Sequence, residues 1–194
     1  MPIKPAGQDS DLAETLLESR EVYRGRMLEV REDTVRLPGG GTARREWVVH
    51  PGAVMIVPLL DDGAVVLERQ FRYPLGRDFI EFPAGKIDPG EDPEATGRRE
   101  LLEETGYRAR DWARLGTIHP VIGYSNERIE MYLAEGLVRS ERQLDEEEFL
   151  EVFTLPALEA LDWVEQGIIT DVKTIAGLFW LERILRRRSG GMAR

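Results

Sequence analysis

Three glutamates lie close together in a stretch of the chain that has the pattern of a helix. Residues 92–94 suit a first helical turn, where proline is tolerated and acids oppose the positive dipole end, and Gly106 suits a C-terminal cap. At about 100° per residue, Glu100 and Glu104 lie about 40° apart, with Glu103 about 60° to the other side of Glu100. Like charges so placed destabilise an exposed helix. The pattern therefore indicates either an ordinary solvated acidic face or a site for hard cations such as Mg²⁺.

The glutamates belong to a longer motif with fixed spacing. Gly85 is followed after five residues by Glu91, and after seven more by Arg99. The remaining positions come directly afterwards: Glu100, Leu101, Glu103, Glu104, Gly106 and Tyr107. The motif resembles the signature G-x5-E-x7-R-E-U-x-E-E-x-G-U of the Nudix hydrolases, where U is a bulky apolar residue. Within this motif the cation-binding interpretation is favoured over the solvated face.

The resemblance implies a hydrolase that splits a nucleoside diphosphate linked to another group, using divalent cations. Glu100 and Glu104 are the predicted principal metal ligands, since they are nearest to each other on the helix face. Glu103 is expected to bind through a second ion or through water. The resemblance adds the backbone carbonyl of Ala84 as a further ligand. Mg²⁺ is the expected ion, with Mn²⁺ as the alternative.

Other residues of the motif are expected to have structural roles. Glu91 and Arg99 are predicted to hold the loop to the helix through a charge-assisted contact. Gly85 allows close approach of the backbone at the turn. Gly106 ends the helix.

A general base is expected outside the helix. In the ADP-ribose pyrophosphatase branch of the family, a glutamate on a loop beyond the signature often activates water or completes the metal site. Glu127 is the candidate here, because residues 120–127 are predicted to form a mobile loop that closes over substrate. Glu130 is a rival expected in the next strand, and a plain exposed loop acid is the alternative for Glu127. With Glu103 and Glu104, Glu127 completes the predicted catalytic set.

Arginines and one tryptophan are the candidate substrate-binding residues. The guanidinium fork donates two parallel hydrogen bonds and so fits a diphosphate. Arg69 and Arg72, at the end of a predicted core strand, are the candidates for phosphate or ribose contacts, with surface strand arginines as the alternative. Trp47 is a candidate for stacking on adenine with Arg45 beside it, and hydrophobic packing competes for Trp47.

Composition and charge exclude several function classes. The 194 residues carry a net charge of −10, which disfavours nucleic acid as a partner. No apolar run approaches a membrane span, and the absence of cysteine excludes thiolate metal sites and favours a cytoplasmic location. The two histidines, His50 and His119, are interpreted as structural. The basic C-terminal positions are predicted to be the solvated end of a helix rather than a nucleic-acid tail: Arg183, Arg186, Arg187, Arg188 and Arg194.

The elements that must position these residues form two predicted domains, 1–50 and 51–194. Residues 1–12 are expected to be loose, and 14–50 to form a small antiparallel sheet of three strands with turns near 24–26 and 38–41. Beyond the boundary, predicted strands lie at 53–59, 63–72, 78–82, 114–118 and 129–134, and predicted helices at 156–166 and 171–188. The acidic run 145–148 is interpreted as a solvated loop. The fold class is α/β (α+β): an α/β/α sandwich around a mixed sheet, plus the N-terminal sheet.

This order, with the phrases at 45–53 and 82–87, resembles the ADP-ribose pyrophosphatase branch. That resemblance implies ADP-ribose as substrate and a homodimer formed through the N-terminal sheet, which is often exchanged. A GDP-mannose, other nucleotide-sugar or dinucleotide pyrophosphatase is the alternative. A non-catalytic module that senses a nucleotide sugar is disfavoured because every signature glutamate is present. RNA-end hydrolysis is disfavoured by the acidic balance.

Overall fold

The computed structural model describes residues 11–142 and 149–190. Residues 1–10 of the predicted loose segment 1–12, the acidic run 145–148 and Arg194 lie outside these ranges. The N-terminal sheet is antiparallel in the order β1-β2-β3, with β1 at Thr15–Arg24, β2 at Glu29–Arg36 and β3 at Thr42–Val49. Its two turns fall where glycine and proline predicted them, which confirms this part of the fold.

The chain divides into two compact units. One contains residues 1–50 together with 121–127, and the other contains residues 51–120 and 128–194. The sequence placed the segment 121–127 in the second domain. It belongs to the first unit because its backbone pairs with the end of β3, where the Val48 N–H donates to the Tyr124 carbonyl at 2.8 Å.

The second unit is built on two sheets. The four-stranded sheet has the order β7-β4-β9-β8, with β4 at Ala53–Pro58, β7 at Ala84–Lys86, β8 at Tyr107–Ile118 and β9 at Ile129–Arg139. Only β4 and β9 pair in parallel in this sheet. The three-stranded antiparallel sheet has the order β10-β5-β6, with β5 at Ala64–Arg72, β6 at Arg77–Glu81 and β10 at Leu150–Pro156. β7 and β10 were not predicted, and β8 and β9 extend beyond their predicted ends.

The described part of the second unit also contains three helices: α1 at Pro93–Thr105, α2 at Ala157–Glu165 and α3 at Val172–Arg188. The Asp92 carboxylate caps α1 by accepting hydrogen bonds from the Glu94 and Ala95 N–H groups. Gly106 ends α1 in the left-handed conformation, with φ 71°. These bounds lie within two residues of the predicted ones. None of the helices in the described part of the chain is long and apolar enough to cross a membrane.

Strand β4 is buried along its whole length because it is covered on both faces. Val54 and Ile56 pack in one apolar cluster with Leu101 of α1. Met55 and Val57 pack in a second cluster that includes Leu178 and Leu181 of α3. A continuous apolar run is the expected pattern for a strand between two layers of helices. The predicted α/β/α sandwich is confirmed.

Candidate active site

The two glutamates predicted as principal metal ligands lie on the buried edge of α1. Leu101 packs into the core with no exposed surface, and Glu100 and Glu104 are 9% and 4% exposed. The Ala84 N–H, where β7 begins, donates to the Glu104 carboxylate at 2.9 Å. The structure therefore brings Glu100, Glu104 and the Ala84 backbone to one place, where the strand enters the signature loop.

At Gly85 the β7 backbone lies against the side chain of Glu100 on the edge of α1. A Cβ atom at this position would overlap the Glu100 carboxylate. Only glycine lets this carboxylate lie against the β7 backbone. The sequence predicted a close backbone approach at Gly85 without identifying what approaches it.

Arg99 connects the signature loop to the glutamates. Its guanidinium makes a bidentate contact with the Glu91 carboxylate, in which Nε donates to Oε1 at 3.1 Å and Nη2 donates to Oε2 at 3.0 Å. Its Nη1 donates to Glu100 at 2.8 Å and to Glu103 at 3.0 Å. Hydrogen bonds from Arg99, with help from Thr96, lower the pKa of Glu91 to about 2, and the pairing with Glu91 raises the pKa of Arg99.

The lowered pKa of Glu91 predicts an acid-sensitive contribution to stability. Its pKa in the folded state lies below the ordinary value of 4.5, so the ionised form stabilises the protein above that value. The contribution is lost as the pH falls towards about 2. We expect Glu91→Gln to be less stable than the wild type near neutral pH, with most of the difference gone at the acid end. Urea unfolding of both proteins across this window measures it, and a constant difference would contradict the assignment.

The donor set fits a hard divalent cation only in part. Within residues 11–142 and 149–190, no three histidine or acidic side chains are arranged to hold a metal ion by themselves. Glu103 is held by Arg99, while Glu104 accepts from Ala84. Two buried carboxylates and a backbone carbonyl nevertheless offer oxygen donors of the kind Mg²⁺ binds, and Mg²⁺ usually keeps several waters and takes substrate phosphate oxygens as ligands. The role of Glu103 as a ligand stays a prediction.

Arg72 lies beside this edge, held by a buried glutamate that the sequence analysis missed. Its guanidinium makes a bidentate contact with Glu81 of β6, with both hydrogen bonds at 2.7 Å. The negative charges of Glu68 and Glu104 also attract it. Burial alone would raise the pKa of Glu81, but hydrogen bonds from Arg72 and the charge of Lys173 lower it. The sequence contained a signal for a polar site at this end of β5. Glu68, Gln70 and Arg72 lie on one face of the strand, directly after its buried apolar residues.

Arg69 lies on the other side of β5 from Arg72, as expected for residues three apart in a strand. It pairs with Glu151 of β10 at 2.6 Å, and both side chains are about half exposed or more. A substrate role for Arg69 would require it to share or leave this pair. That role stays a prediction.

Glu127 belongs to the first unit, in the segment that pairs with β3. Its N–H donates to Ser125 Oγ at 3.1 Å, and Ser125 Oγ donates to the Val48 carbonyl at 3.0 Å. Its carboxylate lies 3.8 Å from Nε2 of His50. The backbone N–H of His50 donates to Asn126 Oδ1 at 2.7 Å. The loop predicted to carry the base is thus tied to the N-terminal sheet, a pairing that sequence separation concealed.

The candidates for base contacts lie on β3 in the same unit. Trp47 is partly buried, and its Nε1 donates to Asp33 at 2.8 Å. Arg45, two residues away and so on the same face, is paired with Glu14, with Nε to Oε2 at 3.0 Å. Packing and stacking therefore both stay open for Trp47.

Two other residues considered above have structural partners. Glu130, the rival base, lies in β9 and binds Arg114 at 2.8 Å and Thr117 at 2.9 Å. Gly106 donates its N–H to Leu102 and accepts from the Ser140 N–H at 2.7 Å, which ties the end of α1 to the end of β9. His119 is exposed.

Comparison with known proteins places the geometry in context. Residues 49–172 match the NUDIX domain, and residues 14–48 match the nucleoside diphosphate sugar hydrolase N-terminal domain. The chain is 37% identical over 173 residues to ADP-ribose pyrophosphatase of Bacillus subtilis, covering 88% of this chain and 94% of the relative. It is 37% identical over 171 residues to the methanol dehydrogenase activator of Bacillus methanolicus, covering 87% and 92%. A crystal structure of an ADP compounds hydrolase superposes with a TM-score of 0.83 at 26% identity, covering 95% of this chain and all of that one.

Proposed function

Because the chain belongs to the Nudix hydrolase family, we propose that it hydrolyses the diphosphate bond of a nucleoside diphosphate sugar. ADP-ribose is the proposed substrate, with AMP and ribose 5-phosphate as products. The observation that carries the proposal is the pair of buried carboxylates, Glu100 and Glu104, against the Ala84–Gly85 backbone. Relatives at 37% identity over most of the chain include an ADP-ribose pyrophosphatase.

The residues of α1 would hold the divalent cation that the family generally uses, and Mg²⁺ is the proposed ion with Mn²⁺ as a substitute. Glu100, Glu104 and the Ala84 carbonyl would bind it, with Glu103 contributing through a second ion or through water. When bound, the ion polarises the diphosphate and makes a water more acidic. The buried position of both carboxylates strengthens their hold on a cation, because charges interact more strongly away from water.

Other side chains would bind the substrate and move the proton. Glu127 is proposed to take the proton from the attacking water. The charge of the bound cation would stabilise the leaving phosphate. Arg72 is proposed to grip the diphosphate, since its fork matches phosphate oxygens. Trp47, Arg45 and Arg69 are the proposed contacts to adenine and ribose.

We further propose a homodimer formed through the N-terminal sheet. Strand β1 is exposed along its whole length, including the apolar residues Leu16, Leu17, Val22 and Tyr23. A three-stranded sheet of this kind needs a neighbour to cover its apolar side chains. Sedimentation at micromolar concentration is expected to show a dimer, and a monomer throughout would rule the proposal out. A cytoplasmic location remains an expectation, consistent with the absence of cysteine.

Steady-state rates on a panel of diphosphates test the proposed substrate. We expect ADP-ribose to be among the best substrates by kcat/KM in a comparison with GDP-mannose, NADH and diadenosine polyphosphates. Activity is expected to require a divalent cation and to disappear in excess EDTA. A marked preference for GDP-mannose would keep the reaction class and replace the substrate. If the protein hydrolysed none of these compounds, the proposed function would be contradicted.

A further inference from the structure

The edge of α1 that carries Glu100 and Glu104 against the Ala84–Gly85 backbone is called the active edge here. A buried cluster of charges lies near it, where α3 meets β6. Glu81 is 3% exposed and is bound by two cations. Arg72 donates two hydrogen bonds to it, and Lys173 contacts it through its ammonium group. Lys173 also binds Asp171 at 3.0 Å, and its side chain is only 12% exposed. The buried Glu81 carboxylate is thus contacted by two cations.

The start of α3 fixes Lys173 in this position. Asp171 caps the helix by accepting from the Thr174 N–H at 2.9 Å and from Thr174 Oγ1 at 2.7 Å. The Phe82 N–H, next to Glu81, donates to Thr174 Oγ1 at 2.8 Å. The ammonium group is therefore held at the end of β6. The chain continues from there to Ala84, whose N–H donates to Glu104.

Arg72 differs from Lys173 in its exposure. Its side chain is 42% exposed, and the negative charge of Glu104 acts on it. Two of its five N–H groups are used by Glu81. The remaining N–H groups of Arg72, together with the positive charge of its guanidinium, suit the binding of an anion at the active edge.

Charge balance explains why the cluster needs a second cation. Glu68 is the cross-strand neighbour of Glu81 and is 1% exposed, so two carboxyl groups are buried side by side. A buried charge left without a partner is strongly destabilising. If Arg72 were the only cation here, a substrate diphosphate would have to compete with Glu81 for it. With Lys173 present, Glu81 keeps a counter-charge when Arg72 interacts with an anion.

We propose that Lys173 is a positioning residue that neutralises Glu81 and thereby leaves Arg72 available to the diphosphate of the substrate. The proposal rests on the proposed function, and nothing in the signature motif assigns a role to Lys173. It predicts that the effect of losing Lys173 depends on Glu81.

The test compares Lys173→Met with the double variant Lys173→Met/Glu81→Gln. We expect Lys173→Met to raise the KM for ADP-ribose about tenfold while kcat changes less than about threefold, because binding of the anion is weakened. The double variant is expected to return to within about threefold of the wild-type KM, since the neutral amide no longer competes for Arg72. Lys173→Arg should retain the wild-type KM. Arg186→Met removes an exposed cation of the same helix, paired with Glu182, and should change nothing.

Calorimetric binding of ADP-ribose in EDTA provides a readout that does not need catalysis. The dissociation constants are expected to follow the same order as the KM values. A wild-type KM and affinity in Lys173→Met, or a defect that Glu81→Gln does not relieve, would overturn the proposal. If the wild type hydrolyses no diphosphate, the proposed function fails, and the binding series still decides the role of Lys173.

Discussion

The Glu104→Gln variant is expected to lose at least about two to three orders of magnitude in kcat. Glutamine keeps the size of the side chain and can still accept from the Ala84 N–H, so the main loss is one negative charge at a buried position. A loss of this size corresponds to about 3 to 4 kcal/mol of transition-state stabilisation, which metal-borne electrostatics can supply. Steady-state kinetics at saturating Mg²⁺ and ADP-ribose measure it.

Stability and a matched variant separate this effect from misfolding. Glu104 and Glu100 are like charges at i and i+4, so removing one is not expected to lower the unfolding temperature in EDTA. Glu94→Gln removes a glutamate from the same helix, where it is more exposed and paired with Arg98 at 2.8 Å. It should keep the wild-type rate. An unchanged rate in Glu104→Gln would remove Glu104 from the mechanism.

The Gly85→Ala variant is expected to lose about a hundredfold or more in kcat. The added Cβ would overlap the Glu100 carboxylate, so Glu100 must rotate away or α1 must move off β7. A displacement of about 1 Å at a catalytic group can cost about a hundredfold in rate. The affinity for the divalent cation is expected to fall with the rate, because Glu100 is a predicted ligand.

Gly39→Ala is the control for this substitution. A Cβ at Gly39, in the turn between β2 and β3, meets no atom within 4 Å. That variant should keep the wild-type rate and metal affinity. If Gly85→Ala were as active as the wild type, the close contact between Glu100 and the β7 backbone would not matter for catalysis.

The sequence predicted those features whose determinants are local. Asp92 and Gly106 mark the ends of α1 by capping, and the apolar run of β4 reports burial on both faces. The signature predicted a contact between Glu91 and Arg99, and two hydrogen bonds join these side chains in the structure. The spacing of Glu100 and Glu104 places both on one edge of α1, because helix geometry converts spacing into direction.

Features that depend on distant pairing could not be read in the same way. Lys173 meets Glu81 only because α3 returns to β6, 92 positions along the chain. The segment 121–127 contacts β3 across a similar separation. β7 has only three residues, too few for a periodic pattern. Such contacts have no local signal, because the two partners are specified by the fold.

A calorimetric titration with Mg²⁺ tests the central claim most directly, which is that the buried edge of α1 exists to hold a divalent cation against a diphosphate. The wild type is expected to take up the ion at millimolar concentration or below, more tightly when AMP is present, and Glu94→Gln should behave in the same way. Glu104→Gln should show little or no uptake. The absence of any uptake by the wild type, with and without nucleotide, would contradict the account.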